Sequence, residues 1–421
     1  MAGFFKTNTG YPLTLLAYFL LVFSVLCGGN LHIIGPFSLR HVSTIILLGL
    51  AVVLKKRIHI HNWAFPLYLL YICVAIICCV VNGDFLTHAF WQSLYTYHLP
   101  CIAIALGLPF LVKDLDHVKL FVWSLIALYV INSIISFFQY TNSELAWAIA
   151  TRLSGSAEEG AEKAIMYSES ADNLLGYSVV TGLFGFVVTN GYFLATYIPI
   201  ITHRMYDKKM INKIVSIAFL IFGGIAIFIT QQRMAFLSFI LYVGFFLWNG
   251  VDRKWLLPTI FIGAIVFSYY GISNIEMGRL TSDTNYDTRI QLVDYFFDFL
   301  GSGYWAFGGG EAYMKLYDRP QHNTFLSAWV GGGVFSFLVF SFLYFSLFRD
   351  CMSKILNLKK RRFNYPYTLS FSVASLIFLF YSLTHSAGVN SGSPMFWIVY
   401  TMMCISYPLE KNNESLIIKV I

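Results

Sequence analysis

The sequence predicts an all-α protein that crosses a membrane about a dozen times, and three observations carry that prediction. The first is composition. Of 421 residues, 57% are hydrophobic and only 12% are charged, whereas soluble domains carry about 25% charged residues. A soluble fold of this size has no way to hide so much apolar surface. The second is spacing: apolar windows of about 20 residues recur along the whole chain, the length that crosses a hydrocarbon core about 30 Å thick at about 1.5 Å per residue. The spans of a β-barrel would be shorter and would alternate apolar with polar residues. The third is the distribution of charge.

The apolar windows fall near 11–28, 33–54, 63–82, 94–112, 118–139, 176–200, 214–230, 233–249, 255–273, 323–348, 367–385 and 394–408. Threading the chain through these spans sorts its 28 lysines and arginines by side. On the inner side lie Lys6, the run 55–57, Lys113, Lys119, Arg204, Lys208, Lys209, Lys213, Arg253, Lys254, Arg349, Lys354, the run 359–362, Lys411 and Lys419. On the outer side lie Arg40, Arg152, Lys163, Arg233, Arg279, Arg289, Lys315 and Arg319. Inverting the topology would move the 359–362 cluster outside, against the positive-inside rule. Both termini are therefore expected on the cytoplasmic side. The formal net charge of +7 reports this sidedness and calls for no nucleic-acid partner.

The seven cysteines, Cys27, Cys73, Cys78, Cys79, Cys101, Cys351 and Cys404, fall in spans or at their ends. None lies in a large outer loop and no Cys-x-x-Cys pair occurs, so the pattern indicates neither a disulfide frame nor a zinc site. Leu26 is too bulky just before Cys27 for a lipoprotein cleavage site, and the first span is expected to stay as an anchor.

The chain reads as a single transmembrane domain, 1–421, with two large outer segments, 140–175 and 274–322. The first contains the acidic run Glu158-Glu159-Gly160-Ala161-Glu162, expected as a solvated face. In the second, Ile290, Val293, Phe296, Phe297 and Leu300 fall at helical spacing. They predict an amphipathic helix near the outer membrane surface, ended by Gly301-Ser302-Gly303 and Gly308-Gly309-Gly310. No internal repeat stands out. The Gly223-Gly224 and Gly331-Gly332-Gly333 interruptions occupy unmatched places in the two halves, unlike the paired broken helices of many transporters.

Three basic residues stand out on the outer face. Arg233 follows the tight Thr230-Gln231-Gln232 turn, Arg289 opens the loop helix, and His322 precedes Asn323 where the loop re-enters the membrane. A cation at membrane depth is costly unless it faces protein, water or an anionic ligand; the plain alternative is a side chain snorkelling to lipid phosphates. Arg40, beside His41, and Arg152 are further outer cations that either touch an anionic substrate or line the surface. Asn190, Tyr192 and Tyr197 either line a groove or pack between helices. His98 and His385 read as satisfied bundle histidines. No Asp-x-Asp metal motif appears in the outer loops; Asp294 and Asp298 are too far apart to form one.

On these features the chain resembles the bacterial O-antigen polymerases and O-antigen ligases. The resemblance covers most of the sequence: about twelve spans, a large loop before the tenth, an Arg after a polar turn between spans seven and eight, and a loop Arg opening a helix. A Gly-rich stretch then leads to His322-Asn323 and on to Gly331-Gly332-Gly333. Against the ligase pattern after His-Asn, Gly333 falls on schedule but Ser336 replaces the final Gly, Thr or Tyr. Thr181-Gly182-Leu183-Phe184-Gly185 followed by Thr189-Asn190-Gly191-Tyr192 resembles the sixth-span entry of the polymerases.

The resemblance implies a multi-pass protein of the bacterial inner membrane whose large periplasmic loop precedes the tenth span. It implies a glycosyltransferase that takes a glycan from undecaprenyl diphosphate, with no cofactor and no obligatory metal. Arginine binds phosphate oxygens bidentately and stays charged, which suits Arg233 and Arg289 to a departing diphosphate. Histidine, with an ordinary pKa near 6.5, suits His322 as the base that takes the acceptor hydroxyl proton. Asn323, Arg152, Arg40 and Asn190 are the expected substrate contacts; membrane lipid and a chain-length regulator protein are the expected partners. The expected activity is polymerisation of lipid-linked O-antigen or capsule repeat units. The alternatives are ligation of finished polymer to lipid A-core and, from another class, flipping or transport of the lipid-linked unit.

Overall fold

In the computed structural model the described residues are 10–29, 31–34, 37–53, 63–84, 87–141, 143–154, 180–184, 187–207, 209–230, 232–250, 284–318, 321, 323–358, 361–383, 390 and 392–420. They form a helical bundle. In chain order the helices are α1 (Gly10–Leu26), α2 (Leu39–Val53), α3 (Ala64–Val81), α4 (His88–Ser93), α5 (Leu99–Leu111), α6 (Leu115–Tyr140), α7 (Glu144–Ser154), α8 (Val187–Ile201), α9 (Met210–Ile229) and α10 (Arg233–Gly250), followed by α11 (Thr284–Phe299), α12 (Gly310–Tyr317), α13 (Thr324–Leu358), α14 (Pro366–Ser382) and α15 (Pro394–Val420). Among the described residues the extended structure is one two-stranded hairpin, β1 (His32–Ile34) and β2 (Phe37–Ser38), between α1 and α2.

Among the described residues, five segments are long and apolar enough to cross a membrane: Ala64–Val81, Trp91–Leu111, Leu115–Tyr140, Met210–Ile229 and Thr324–Leu358. Shorter apolar helices cover Tyr11–Leu26, Leu39–Val53, Arg233–Phe245 and Pro366–Ser382. Most expected spans overlap a helix; 33–54 opens in the β1–β2 hairpin, 176–200 is helical only from Val187, and 255–273 lies outside the described residues. The outward faces of these helices carry large apolar side chains such as Leu13, Ile45, Ile77, Ile221 and Phe342, the surface that lipid rather than water tolerates.

The centre of the bundle is α8, where every residue from Asn190 to Ile201 is buried. Helices α6, α9, α10 and α14 pack around it, and its aromatic residues stack inward: Phe193 lies 4.6 Å from Tyr197 and Tyr192 lies 3.8 Å from Tyr381 between ring centroids. Helix α13 lies along α3 and α14, and α15 along α14 and α5.

Connecting segments meet in two groups. At one end Glu410 of α15 accepts the N–H groups of Tyr367 (2.9 Å) and Thr368 (3.0 Å) at the first turn of α14, and Glu414 accepts from Asn364 and Tyr365. The Glu410 carboxylate satisfies orphan donors of the α14 N-terminus, while Glu414 ties down the side chains just before it. At the other end the turn after α3 meets the segment 305–311, and Gly392 approaches Tyr97 and His98. Each group joins segments that the charge distribution assigns to one side.

Two expectations about spans change. The expected span 176–200 is not one helix: α8 begins only at Val187, and 180–184 is a buried turn ending in a short 3₁₀ segment, Gly182–Phe184. The reason is a set of amides on one face of α6. Gln139 Oε1 accepts the N–H groups of Thr181 (3.0 Å) and Gly182 (2.8 Å), and Asn132 Oδ1 accepts that of Leu183 (2.8 Å). Side chains thus take the bonds that helical neighbours would otherwise make. Gly182 adopts φ +57°, and a Cβ there would lie 2.3 Å from Asn132 Oδ1.

The expected span 323–348 extends to Leu358 and is broken at Gly332 (φ −150°, ψ 22°) and Gly333 (φ 65°, ψ −165°). Across this break the carbonyl of Val330 accepts from Gly309 N–H (2.8 Å) and Val334 N–H donates to the Trp305 carbonyl (3.0 Å). In an unbroken helix those two groups would bond each other. The segment 305–309 is therefore spliced into the helix ladder, and α3 supports it: Cys78 Sγ donates to the Gly332 carbonyl (3.1 Å) and Asn82 Nδ2 to that of Phe307 (2.9 Å).

Gly182→Ala is expected to lower stability by about 3 kcal/mol or more, since the new methyl meets fixed amides and the backbone lies in the left-handed region. Gly301→Ala, where nothing lies within 4 Å of the added Cβ, is expected to leave it nearly unchanged. Melting of the two variants in detergent, against the parent protein, checks the contrast.

Candidate functional site at the outer end of the bundle

The large outer segment builds a small second core. Helix α11 begins earlier than the expected 289–300 stretch, and it turns Leu292, Phe296 and Phe299 inward. Val293 and Phe297 stay exposed. Phe296 and Phe299 pack with Tyr313 of α12 and Val330 of α13. Phe299 stacks on Tyr304 at 4.5 Å and meets Tyr313 edge-on at 5.2 Å. The glycine clusters behave as the sequence indicates: a π-turn over Leu300–Tyr304 follows α11, Gly303, Gly308 and Gly309 take positive φ, and α12 starts at Gly310.

His322 lies outside the described residues; both of its neighbours are described. Gln321 is buried, and its Nε2 donates to the Leu292 carbonyl on α11 (2.7 Å) and to Tyr313 Oη on α12 (2.6 Å). Asn323 is the N-cap of α13: its Oδ1 accepts the N–H groups of Phe325 (2.9 Å) and Leu326 (3.2 Å), satisfying orphan donors of the first turn. Its Nδ2 donates to the Leu383 carbonyl at the end of α14 (2.9 Å). Thr324 Oγ1 donates to Asn390 Oδ1 (2.5 Å) in the following connection.

Arg233 is the first residue of α10 and is exposed. The residue before it, Gln232, lies beside Gly191, as does Tyr381: a Cβ on Gly191 would meet Tyr381 Oη at 3.0 Å and Gln232 Cγ at 3.1 Å. Arg289 sits on α11, one turn before Leu292; its side chain lies outside the described residues. Gln321 ties the α11 turn after Arg289 to α12, Asn323 bonds the end of α14, and Gln232, before Arg233, lies beside Gly191 as Tyr381 near that helix end does.

The expected substrate contacts fall in different places. Asn190 is fully buried. Its Oδ1 accepts from Asn132 Nδ2 (2.8 Å), and its Nδ2 donates to Ser136 Oγ (3.0 Å) and the Val180 carbonyl (3.4 Å). It holds the turn before α8 from within. Arg40 donates from Nε to the Val25 carbonyl (2.7 Å) and from Nη2 to that of Leu26 (3.1 Å), covering the last turn of α1 as a cation does at a helix C-terminus. Arg152 is exposed on α7, and α7 packs on the 182–184 turn. His98 shares a hydrogen bond with Tyr68 Oη (2.9 Å), as a satisfied bundle histidine does, and His385 lies outside the described residues.

Beside this site the turn after α3 carries Asp84. Burial first, and then the Glu311 carboxylate, push its carboxyl above the usual range, against the Glu311 N–H and the Lys315 charge that lower it. Lys315 pairs with Glu311 at 2.7 Å on the exposed face of α12. Among the described residues no group of three His, Cys, Asp or Glu side chains gathers to hold a metal.

Sequence reasoning missed Gln321, Tyr381 and Gln139. For Gln139 the signal was present: Asn132, Ser136 and Gln139 share one face of a helix that is otherwise apolar. Gln321 and Tyr381 carry no such pattern, because their partners are more than 28 positions away or across helices.

Asn323→Asp keeps the oxygen that caps α13 but loses the bond to the Leu383 carbonyl, and is expected to lose less stability than Asn323→Ala, which is expected to cost about 1–2 kcal/mol. Thermal unfolding of both variants tests the cap assignment; equal losses would contradict it.

No family model matches the chain, and no curated protein matches it either.

Proposed function

We propose that the protein is a membrane glycosyltransferase that polymerises undecaprenyl-diphosphate-linked O-antigen or capsule repeat units on the periplasmic face of a bacterial inner membrane. The observation that supports it most is the set of contacts that the neighbours of His322, Arg233 and Arg289 make near the α13 entry and the outer end of α14. In this reading His322, Arg233 and Arg289, from distant parts of the chain, act together on one substrate. That arrangement serves a reaction whose leaving group is a dianionic diphosphate.

In this reading Arg233 and Arg289 neutralise the diphosphate as the glycosidic bond to it breaks. His322 takes the proton from the attacking sugar hydroxyl of the acceptor. Asn323 sets the backbone of the α13 entry and so the direction from which His322 approaches. The exposed start of α10 adds the positive end of a helix to Arg233. Arg40 and Asn190 act through the frame: one closes α1 and the other holds the turn before α8. Arg152 remains an outer cation at the edge of the site. A chain-length regulator would act on this same face.

Ligation to lipid A-core shares the donor and the base. Purified protein supplied only with lipid-linked repeats separates the two, because polymerisation proceeds and ligation needs added lipid A-core. A flippase would move intact donor without breaking the diphosphate bond.

His322→Ala is expected to abolish transfer while leaving abundance unchanged, and normal chain-length ladders from that variant would overturn the base assignment. Arg233→Lys and Arg289→Lys are each expected to lose at least about 10-fold in polymer yield, because lysine keeps the charge and loses the bidentate fork. Lys315→Arg and Arg319→Lys are expected to be silent. A snorkelling role would tolerate either cation at all four positions, so equal yields across the set would return the basic cluster to lipid anchoring.

A further inference from the structure

The first large outer segment opens with a helix, and its position is set by the span before it. Helix α7 starts at Glu144, four positions after α6 ends at Tyr140. Ser143 N–H donates back to the Phe138 carbonyl (2.9 Å) in the last turn of α6. The start of α7 is therefore held at the outer end of an apolar span, at the height where hydrocarbon gives way to headgroups.

Successive side chains of a helix are rotated by about 100°, and along α7 this rotation separates three faces. The helix packs on the 182–184 turn and on α6, and Ala146 and Ala150 are its buried residues. They form the face turned to the protein, small enough for close contact. Glu144, Ala148 and Arg152 lie on the opposite side, about 180° away, and all three are exposed. Between these faces, on one flank, stand Leu145 and Ile149, 71% and 36% exposed.

This order fits a helix that rests on the outer end of the bundle. Its protein face points down onto the turn that Gln139, Asn132 and Asn190 hold from within. Its charged face then points outward to water, and its apolar flank points sideways, in the plane of the membrane surface. What lies sideways is shown by the neighbouring helix. Ile131, Ile134 and Phe138 form an exposed stripe along α6, and Phe137 and Phe138 are each 50% exposed at its outer end. The flank of α7 thus continues a surface that already faces lipid. Apolar residues on one flank and charge on another are the pattern of a helix lying in the interface. Arg152 falls at the border of the two, where a guanidinium reaches lipid phosphates.

We infer that α7 is an in-plane helix of the outer leaflet. Leu145 and Ile149 insert among lipid acyl chains, Arg152 meets headgroup phosphates, and the face of Glu144 and Ala148 stays in water. The helix is a lipid-binding element rather than the start of a solvated loop, and it braces the 182–184 turn from outside. This assignment does not depend on the proposed glycan transfer.

Two measurements test it. Glu144→Cys, Leu145→Cys, Ala148→Cys and Ile149→Cys are made singly in the full chain with its native cysteines replaced. Each carries a nitroxide in nanodiscs of phosphatidylethanolamine and phosphatidylglycerol. The ratio of collisions with oxygen, which concentrates in lipid, to those with a water-soluble nickel chelate is expected to be at least about 5-fold higher at 145 and 149 than at 144 and 148. Equal ratios, with nickel reaching all four positions, would overturn the assignment. Labels at 145 and 149 shielded from both reagents would overturn it as well, because protein would then cover that flank. The second measurement uses the unmodified chain in the same lipids, with a phospholipid that carries a photoreactive diazirine on its acyl chain. Adducts are expected on Leu145 or Ile149 as well as on α6; adducts on α6 with none on α7 would overturn the inference even if the cysteine-free chain does not fold.

Discussion

A backbone N–H or carbonyl without a partner inside hydrocarbon costs several kcal/mol, and the shape of this bundle follows from how that cost is avoided where helices stop. Both interruptions sit near the outer end. At Val180–Phe184 the missing partners come from side chains, the amides of Gln139, Asn132 and Asn190. At Gly332–Gly333 they come from another stretch of backbone, Trp305 and Gly309.

Helix α14 closes beside α8 through the Tyr192–Tyr381 pair and beside α13 through Asn323 and Leu383. Arg233, at the start of α10, rests beside this buried core, while Arg289 lies on α11, which joins the small core of Phe296, Phe299, Tyr313 and Val330. The first turns of α13 join both, since Phe325 packs on Phe340 and Tyr344 and Ala328 is buried in the main core. The interior of the bundle is held by aromatic packing. Tyr192, Phe193 and Tyr197 fill the space around α8, and dense packing transmits the position of α14 to the helices on either side.

From the sequence, Arg40 and Asn190 are expected substrate contacts, with surface lining and helix packing as the plain alternatives. In the structure their polar atoms meet the carbonyls of α1 and the amide network of α6. Gln321, unmarked in the sequence, is the side chain that links α11 and α12 at the α13 entry.

The sequence alone determined the all-helical class, the apolar character of the helices and the approximate limits of most of them. These depend on local quantities: the free energy of burying apolar side chains in lipid and the need of each backbone to satisfy itself within one segment. It also determined the turn at Gly301–Gly310 and the helix over the second outer segment, because backbone freedom at glycine and a 3.6-residue period are local as well. What only the tertiary structure decided was non-local. That α8 starts at Val187 depends on amides about 50 positions earlier in α6. The break in α13 depends on a loop some 25 positions earlier. The meeting of Gln321, Asn323 and Tyr381 around one helix end depends on how α8, α13 and α14 pack. Hydropathy is blind to such partnerships, since a helix that breaks onto a well-placed carbonyl has the same composition as one that runs straight.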